Sequence, residues 1–255
     1  VPLPALLEPL RAQAESAAVL VDFDGTLAPI VEDPGSARPL SGVPELLGQL
    51  GRRYAVVGVI SGRPAGFLER HLGHPPGVRL VGLYGLEEAG QPAGPSVEPA
   101  ELAAWRGVIS TLVARASRQA PPGVVVEDKG ASLTLHFRQA PEAEAWARQF
   151  AAGAADEGVA VQDARMAVEL RPPIATDKGT VVRVLAAGCS AACYFGDDLG
   201  DLVAFEALSA LAAAGAAVAR IAVRDRESPP ALADAADLVV DGPLAAFDLL
   251  TQLAS

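Results

Sequence analysis

Asp22 and Asp24 stand one residue apart in "VLVDFDGTLAP" (Val19 to Pro29), at the end of an apolar run and just before a Gly-Thr turn. Three other polar groups follow the same arrangement: Ser61-Gly62-Arg63 after "VVGVI", Asp177-Lys178-Gly179 at the head of a helical pattern, and Gly196-Asp197-Asp198-Leu199-Gly200-Asp201 after "CYF". Ligands of a parallel α/β sheet bind beyond the carboxyl ends of its strands, so one sheet edge would gather all four segments. Asp22, Asp24 and Asp197 would repel one another there unless a positive charge sat among them. A few oxygen ligands with room left for water and phosphate oxygens suit Mg²⁺. Lys178 adds a second cation. At about 4 Å its attraction for a carboxylate is on the order of 4 kcal/mol at an effective dielectric of 20, which predicts that it holds Asp22 ionised. An ionised aspartate can attack phosphorus and carry a phosphoryl group, while the cations offset the repulsion between the two anions.

Each of these residues also has an ordinary use. A DxD pair is common in exposed turns. Ser61 suits the cap of a helix beginning near Pro64, a use compatible with anion binding at that helix N-terminus. Arg63 suits a solvated surface charge, and Asp201 the acidic first turn of the next helix. His71 and His74 flank a Gly/Pro loop and read as surface residues. The lysines are more telling. Among 20 basic residues only Lys129 and Lys178 are lysine, which marks them as places where a compact, flexible charge does what a planar guanidinium cannot.

The elements needed to position these groups are legible in the hydrophobic periodicity. "SAAVLVDF", "YAVVGVI" and "GVRLVGLYG" read as strands alternating with helices at "VPELLGQLGRR" and "RPAGFLERHL", the pattern of a doubly wound, Rossmann-like α/β sheet. The stretch "EEAGQPAGPSVEPAEL" reads as a linker. It leads into a helix (Trp105 to Ser117), a hairpin ("GVVVEDKGASLTLHFR"), a second helix ("PEAEAWARQFAAGAADEG") and a second hairpin ("VAVQDARMAVELR"). This αββαββ block, residues 99–172, is expected to form an inserted α+β cap with an antiparallel sheet, and residues 1–98 and 173–255 the core. The α/β alternation resumes with the helix "TDKGTVVRVLAAG", the strands "SAACYFG", "AVARIAV" and "ADLVVD", and a terminal helix.

Residue types and order across the four motifs resemble the haloacid dehalogenase superfamily of phosphatases: DxD with Gly-Thr, a strand-end Ser, a Lys, and an acidic GDDxxxD loop. The resemblance implies Asp22 as nucleophile and Asp24 as acid and base. It implies Thr26, Ser61, Gly62, Arg63 and Lys178 on phosphate, and Asp22, the Asp24 carbonyl and Asp197 on Mg²⁺. Asp198 and Asp201 would support Lys178 or metal-bound water. "VEDKGASLTLHFR", "VELRPPIATDKG", "ISGRP" and "GDDLGDLVAFEAL" are similar to the trehalose-6-phosphate phosphatase family within it, from about Leu20 to Leu250. That resemblance implies sugar contacts at Glu127, Lys129 and Glu169, a cap that decides the substrate and closes to exclude water, and trehalose 6-phosphate as substrate. His136 and Arg138 read as the solvent face of their strand. The chain departs from the family pattern at Tyr84, where a His is common, and at Gly200 and Leu202 in the acidic loop. Phosphatases of sucrose phosphate, glucosylglycerol phosphate and mannosyl-3-phosphoglycerate share the core and a related cap, and are the alternative.

Composition sets outer bounds. A net charge of -11 disfavours nucleic acid or an anionic membrane as partner, since both call for clustered Lys and Arg. The most apolar stretch, "LAAAGAAVARIAV", is broken by Gly215 and Arg220 short of the ~20 residues a spanning helix needs. The N-terminus reads as a short surface helix rather than a signal peptide. Cys189 and Cys193 are expected to be reduced thiols of a cytoplasmic protein. A small sugar phosphate is the expected partner and a monomer the expected state. A phosphorylatable receiver module would be about half as long and would need no cap. A non-catalytic sugar sensor would be expected to have lost an acid or the lysine.

Overall fold

A computed structural model of the chain describes residues 3–31, 34–90, 99–164, 166–225 and 228–255. In chain order the elements are α1 (Glu8–Ala12), β1 (Ala17–Val21), α2 (Val43–Arg53), β2 (Val56–Ile60), α3 (Ala65–Leu72), β3 (Val78–Gly82) and β4 (Glu87–Ala89). They continue with α4 (Leu102–Gln119), β5 (Val125–Asp128), β6 (Leu133–His136), α5 (Glu144–Asp156), β7 (Ala160–Ala164) and β8 (Ala167–Arg171). The chain ends with α6 (Lys178–Leu185), β9 (Ala191–Gly196), α7 (Leu202–Ala213), β10 (Ala217–Arg224), α8 (Pro230–Ala235), β11 (Leu238–Asp241) and α9 (Gly242–Ala254). The chain divides into two compact units, Val1–Val97 with Thr176–Ser255, and Glu98–Ala175. Residues 173–175, which carry neither strand nor helix, group with the second unit rather than with the core.

The first unit holds a sheet of order β11-β10-β9-β1-β2-β3-β4, parallel throughout except for the antiparallel edge β4. β1 lies between β9 and β2, and all five of its residues are buried. A strand covered on both faces has no need of polar alternation, hence its unbroken apolar run. Its side chains still alternate between two cores. Ala17, Val19 and Val21 pack with α2 and α9, and Ala18 and Leu20 with α6 and α7. The N-terminal segment is helical as expected but is more than a surface decoration, because Leu7 and Leu10 are fully buried in the first of these cores.

β4 departs from the sequence expectation, which places "EEA" in the linker. Its three residues pair with β3 (Leu80 with Ala89, Val81 with Glu88, Gly82 with Glu87). Two adjacent glutamates suit an edge strand, where charge discourages further strand addition. Glu88 is neutralised by Arg79 of β3. Most of the remaining linker, residues 91–98, lies outside the described residues.

The second unit has the expected αββαββ order, with an antiparallel sheet β5-β6-β8-β7. Leu133, Leu135, Val168 and Leu170 bury one face of this sheet against Ile109, Leu112 and Ala116 of α4 and Ala147, Phe150 and Ala151 of α5. The opposite face carries Glu127, Thr134, Glu169 and Gln162 in one cross-strand row. No described helix is long and apolar enough to cross a membrane. Cys189 and Cys193 are both free thiols.

Candidate active site

The ladder between β1 and β9 runs one residue past β1: Asp22 N–H donates to Phe195 O at 2.8 Å. This fixes Asp22 at the strand end beside Asp197, the residue that follows β9. Phe23 turns the other way, fully buried and edge-on to Phe67 at 5.7 Å. The chain then closes a tight turn in which Leu27 and Ala28 N–H both donate to Phe23 O, and Gly25 N–H to Ala28 O. Gly25 is required twice over. Its φ is +71°, and a Cβ there would lie 2.0 Å from Asp197 Oδ2, so a side chain would be strained and would strike the acid.

Lys178 opens α6, whose N-cap is Asp177, accepting from Thr180 N–H. Its ammonium lies 3.0 Å from Asp22 Oδ1 and 2.6 Å from Asp201 Oδ1. Asp201 is wholly buried and saturated. Oδ1 accepts from Lys178 and from Tyr194 Oη (2.7 Å), and Oδ2 from the N–H groups of Asp197 (2.9 Å) and Asp198 (3.1 Å). Asp198 in turn accepts from Gly200 N–H, completing a capping box at the head of the helical turn that precedes α7. Gly196 gives Asp201 its place, since a Cβ there would lie 2.3 Å from the Asp201 carboxyl carbon.

One oxygen from each of Asp22, Asp197 and Asp201 falls within 4.8 Å of the others, and all three residues are buried. Burial raises Asp22 to about 8 against the pull of Lys178, with Asp201 and Asp198 adding to the rise. Burial, then Asp22 and Asp201, raises Asp197 to about 10. Burial also opposes the charge on Lys178, but Asp201 and Asp22 outweigh it and hold the ammonium well above its usual value. The expectation that Lys178 by itself keeps Asp22 ionised is therefore corrected. The lysine sits closer to Asp201, and desolvation of Asp22 exceeds what it returns. Among the described residues the Asp197 carboxylate receives no hydrogen-bond donor. Crowded, under-compensated carboxylate oxygens are the donor set that a hard divalent cation fits.

Asp24 is engaged by Arg63. Nε donates to Oδ2 and Nη2 to Oδ1, both at 2.8 Å, and the guanidinium lies over the Phe67 ring. The resemblance places Arg63 on phosphate; in the structure two of its nitrogens form this bidentate pair. Ser61 is buried and its Oγ accepts from Arg63 N–H at 3.1 Å. It does not cap α3: Pro64 is the N-cap, and the Ala65 N–H donates to Glu87 Oε2 at 3.0 Å. Gly62 is overlaid by Tyr84, whose hydroxyl would be 2.4 Å from a Cβ at that position. Thr26 is fully buried, with its hydroxyl unpartnered among the described residues.

In the second unit, Glu169 Oε1 accepts from Ser132 Oγ at 2.9 Å and faces Lys129 Nζ at 3.3 Å. Glu127 Oε2 lies 2.8 Å from His136 Nε2, so His136 has a partner on its sheet and is not merely solvent-facing. Arg138 is exposed as expected. Within the core, the strand ends thus gather Asp22, Lys178, Asp197 and Asp201, with Asp24 paired to Arg63. Tyr194, Glu87 and Ser132 were missed. A tyrosine in the otherwise apolar strand "AACYF" was the one available signal for Tyr194.

A trehalose-phosphatase family profile matches residues 20–237. The trehalose-phosphate phosphatase of Mycobacterium avium (strain 104) is 36% identical over 203 residues, covering 75% of this chain and 51% of that protein. The chain spans about half the length of the curated relatives it matches. The solved C-terminal domain of C. albicans trehalose-6-phosphate phosphatase superposes with a TM-score of 0.74 at 23% identity, covering 99% of this chain and 98% of that one. A Bacteroides thetaiotaomicron phosphatase of the haloalkanoate superfamily gives a TM-score of 0.59 at 16% identity, covering 93% and 94%. These two structures share the fold.

Proposed function

The chain belongs to the trehalose-phosphatase family, and from that premise we propose that it hydrolyses trehalose 6-phosphate to trehalose and phosphate in a Mg²⁺-dependent reaction with Asp22 as nucleophile. The observation that carries the proposal is the buried Lys178 ammonium bridging Asp22 and Asp201, with Asp197 alongside.

Asp22, Asp197 and the Asp24 backbone carbonyl would hold Mg²⁺, which supplies charge neutralisation among the carboxylates and the incoming phosphate. An Asp22 oxygen attacks phosphorus, the bond from phosphorus to the sugar oxygen breaks, and Asp24 protonates that oxygen as it leaves. Asp24 then takes a proton from the water that attacks the aspartyl-phosphate, releasing phosphate and restoring the Asp22 carboxylate. Because both Asp24 oxygens lie in the Arg63 fork, donating a proton requires one of them to leave it. Arg63 is accordingly assigned to Asp24 rather than to phosphate. Thr26, Ser61, Gly62 and Lys178 would hold the phosphate oxygens, a role the orphaned Thr26 hydroxyl supports. Asp201 and Asp198 fix Lys178 and the acidic loop. Glu127, Lys129 and Glu169 would pair with sugar hydroxyls, since a site built to hydrogen-bond hydroxyls discriminates strongly against ligands that lack them.

Tyr84, standing against Gly62 where the family pattern has His, favours a second reading with the same chemistry on another glycosyl phosphate. The test is phosphate release from trehalose 6-phosphate, sucrose phosphate, glucosylglycerol phosphate and mannosyl-3-phosphoglycerate, with Mg²⁺ and with chelator. Metal-dependent release strongest from trehalose 6-phosphate is expected. A different preference would replace the substrate and keep the mechanism, and no release from any of the four would overturn both.

A further inference from the structure

Thr134 stands between Glu127 on β5 and Glu169 on β8 in the polar row of the second unit's sheet, directly opposite each of them. Direct cross-strand partners project from the same face. Thr134 is 3% exposed, and its hydroxyl has no hydrogen-bond partner among the described residues. Its acidic neighbours do not serve it. Glu169 Oε1 is taken by Ser132 and Lys129, and Glu127 Oε2 by His136. A buried hydroxyl without a partner is destabilising, and valine would have the same shape and a higher strand preference at no such cost. Thr134 therefore makes sense as a residue whose hydroxyl is completed by something from outside the chain.

We propose that Thr134 is a sugar-contacting specificity residue whose hydroxyl pairs with a pyranose hydroxyl between Glu127 and Glu169. The proposal rests on the sugar-phosphate reading above and adds a residue that reading does not contain. The three strands β5, β6 and β8, at about 4.8 Å spacing, make the stretch from Glu127 to Glu169 about 10 Å across, wide enough for one pyranose ring with its hydroxyls. This stretch also offers both polarities: a carboxylate acceptor on either side of Thr134, the Lys129 ammonium as donor, and a Thr hydroxyl that can do either.

The test compares wild type, Thr134→Val and Thr134→Ser on trehalose 6-phosphate and on p-nitrophenyl phosphate, which has no sugar hydroxyls. Thr134→Val is expected to raise KM for the sugar phosphate about 2- to 13-fold, the range set by one neutral hydrogen bond. It should lower the sugar-to-aryl ratio of kcat/KM by a similar factor, with a Tm equal to or above wild type. Thr134→Ser should recover most of both. Wild-type KM and ratio in Thr134→Val would overturn the proposal while leaving the phosphatase reading intact. Equal losses in both variants accompanied by a lower Tm would also overturn it, as the mark of a packing role. A wild type inactive on every glycosyl phosphate would bring down the phosphatase reading and this assignment together.

Discussion

Asp201→Asn would replace a fully buried acceptor of four donors with an amide that has one acceptor and one donor end. Whichever way the amide is set, its NH₂ confronts two donors, either Lys178 with Tyr194 or the N–H groups of Asp197 and Asp198. Lys178 also loses the nearer of its two carboxylate partners, at 2.6 Å against 3.0 Å for Asp22. Removing one partner of a buried ion pair costs about 3–5 kcal/mol, and the lost charge-assisted hydrogen bonds are part of that sum rather than an addition to it. For a chain of this size that corresponds to a Tm lower by about 6–20 °C. Tyr194→Phe, which removes one donor of the four, should cost only about 1–3 kcal/mol. Thermal unfolding of both variants in chelator, checked by urea midpoints, reads the difference. If Asp201→Asn stayed within about 1 kcal/mol of wild type, or Tyr194→Phe cost as much, Asp201 would not be the residue that holds this cluster together.

Three other outcomes follow from the same geometry. Asp22 at about 8 and Asp197 at about 10 in the folded chain, against about 4 unfolded, mean that the native state holds protons the unfolded state has released. Stability in chelator should therefore fall as pH rises from about 4 to about 10, most steeply below about 8 where both acids contribute, and saturating Mg²⁺ should flatten that fall. Tm–pH curves with and without metal that run parallel would contradict it. Arg63→Lys keeps the charge but loses the two-point grip on Asp24, so kcat should drop about 10- to 150-fold, the equivalent of 1.5–3 kcal/mol. Steady-state kinetics showing wild-type kcat would remove Arg63 from the account. Lys129→Ala should depress kcat/KM for trehalose 6-phosphate at least about tenfold more than for p-nitrophenyl phosphate, because it strips a charged donor from the row proposed to contact the sugar; equal losses would demote that row.

What was legible in the sequence follows the physics of each element. β1 could be read because a central parallel strand is apolar throughout, and because its run ends abruptly in Asp22 and Asp24. Lys178 stood out through the scarcity of lysine. The hairpins of the second unit were visible in their period-two alternation, whose apolar phase matches the buried face holding Leu133, Leu135, Val168 and Leu170. β4 left no such trace, since three residues with two charges carry no period. It exists through pairing with β3, the Arg79 to Glu88 contact and the Glu87 cap on α3. The pairings of Arg63 with Asp24, Tyr194 with Asp201 and Glu127 with His136 depend on how side chains from separate strands and loops meet, which residue type and spacing do not encode. The charge state of Asp22 is hidden from the sequence for the same reason: it depends on how deeply the acid is buried and on how Lys178 is shared.

In the proposed mechanism Asp22 carries the phosphoryl group. The most direct measurement is an acid quench of the enzyme during turnover of trehalose 6-phosphate with Mg²⁺, followed by mass spectrometry of the peptide containing Asp22 and Asp24. One added phosphoryl group is expected on Asp22, absent in chelator and absent from Asp22→Asn, which should also lose turnover while keeping its fold. Phosphate release at the wild-type rate by Asp22→Asn, or a phosphoryl group found on any other residue, would contradict it.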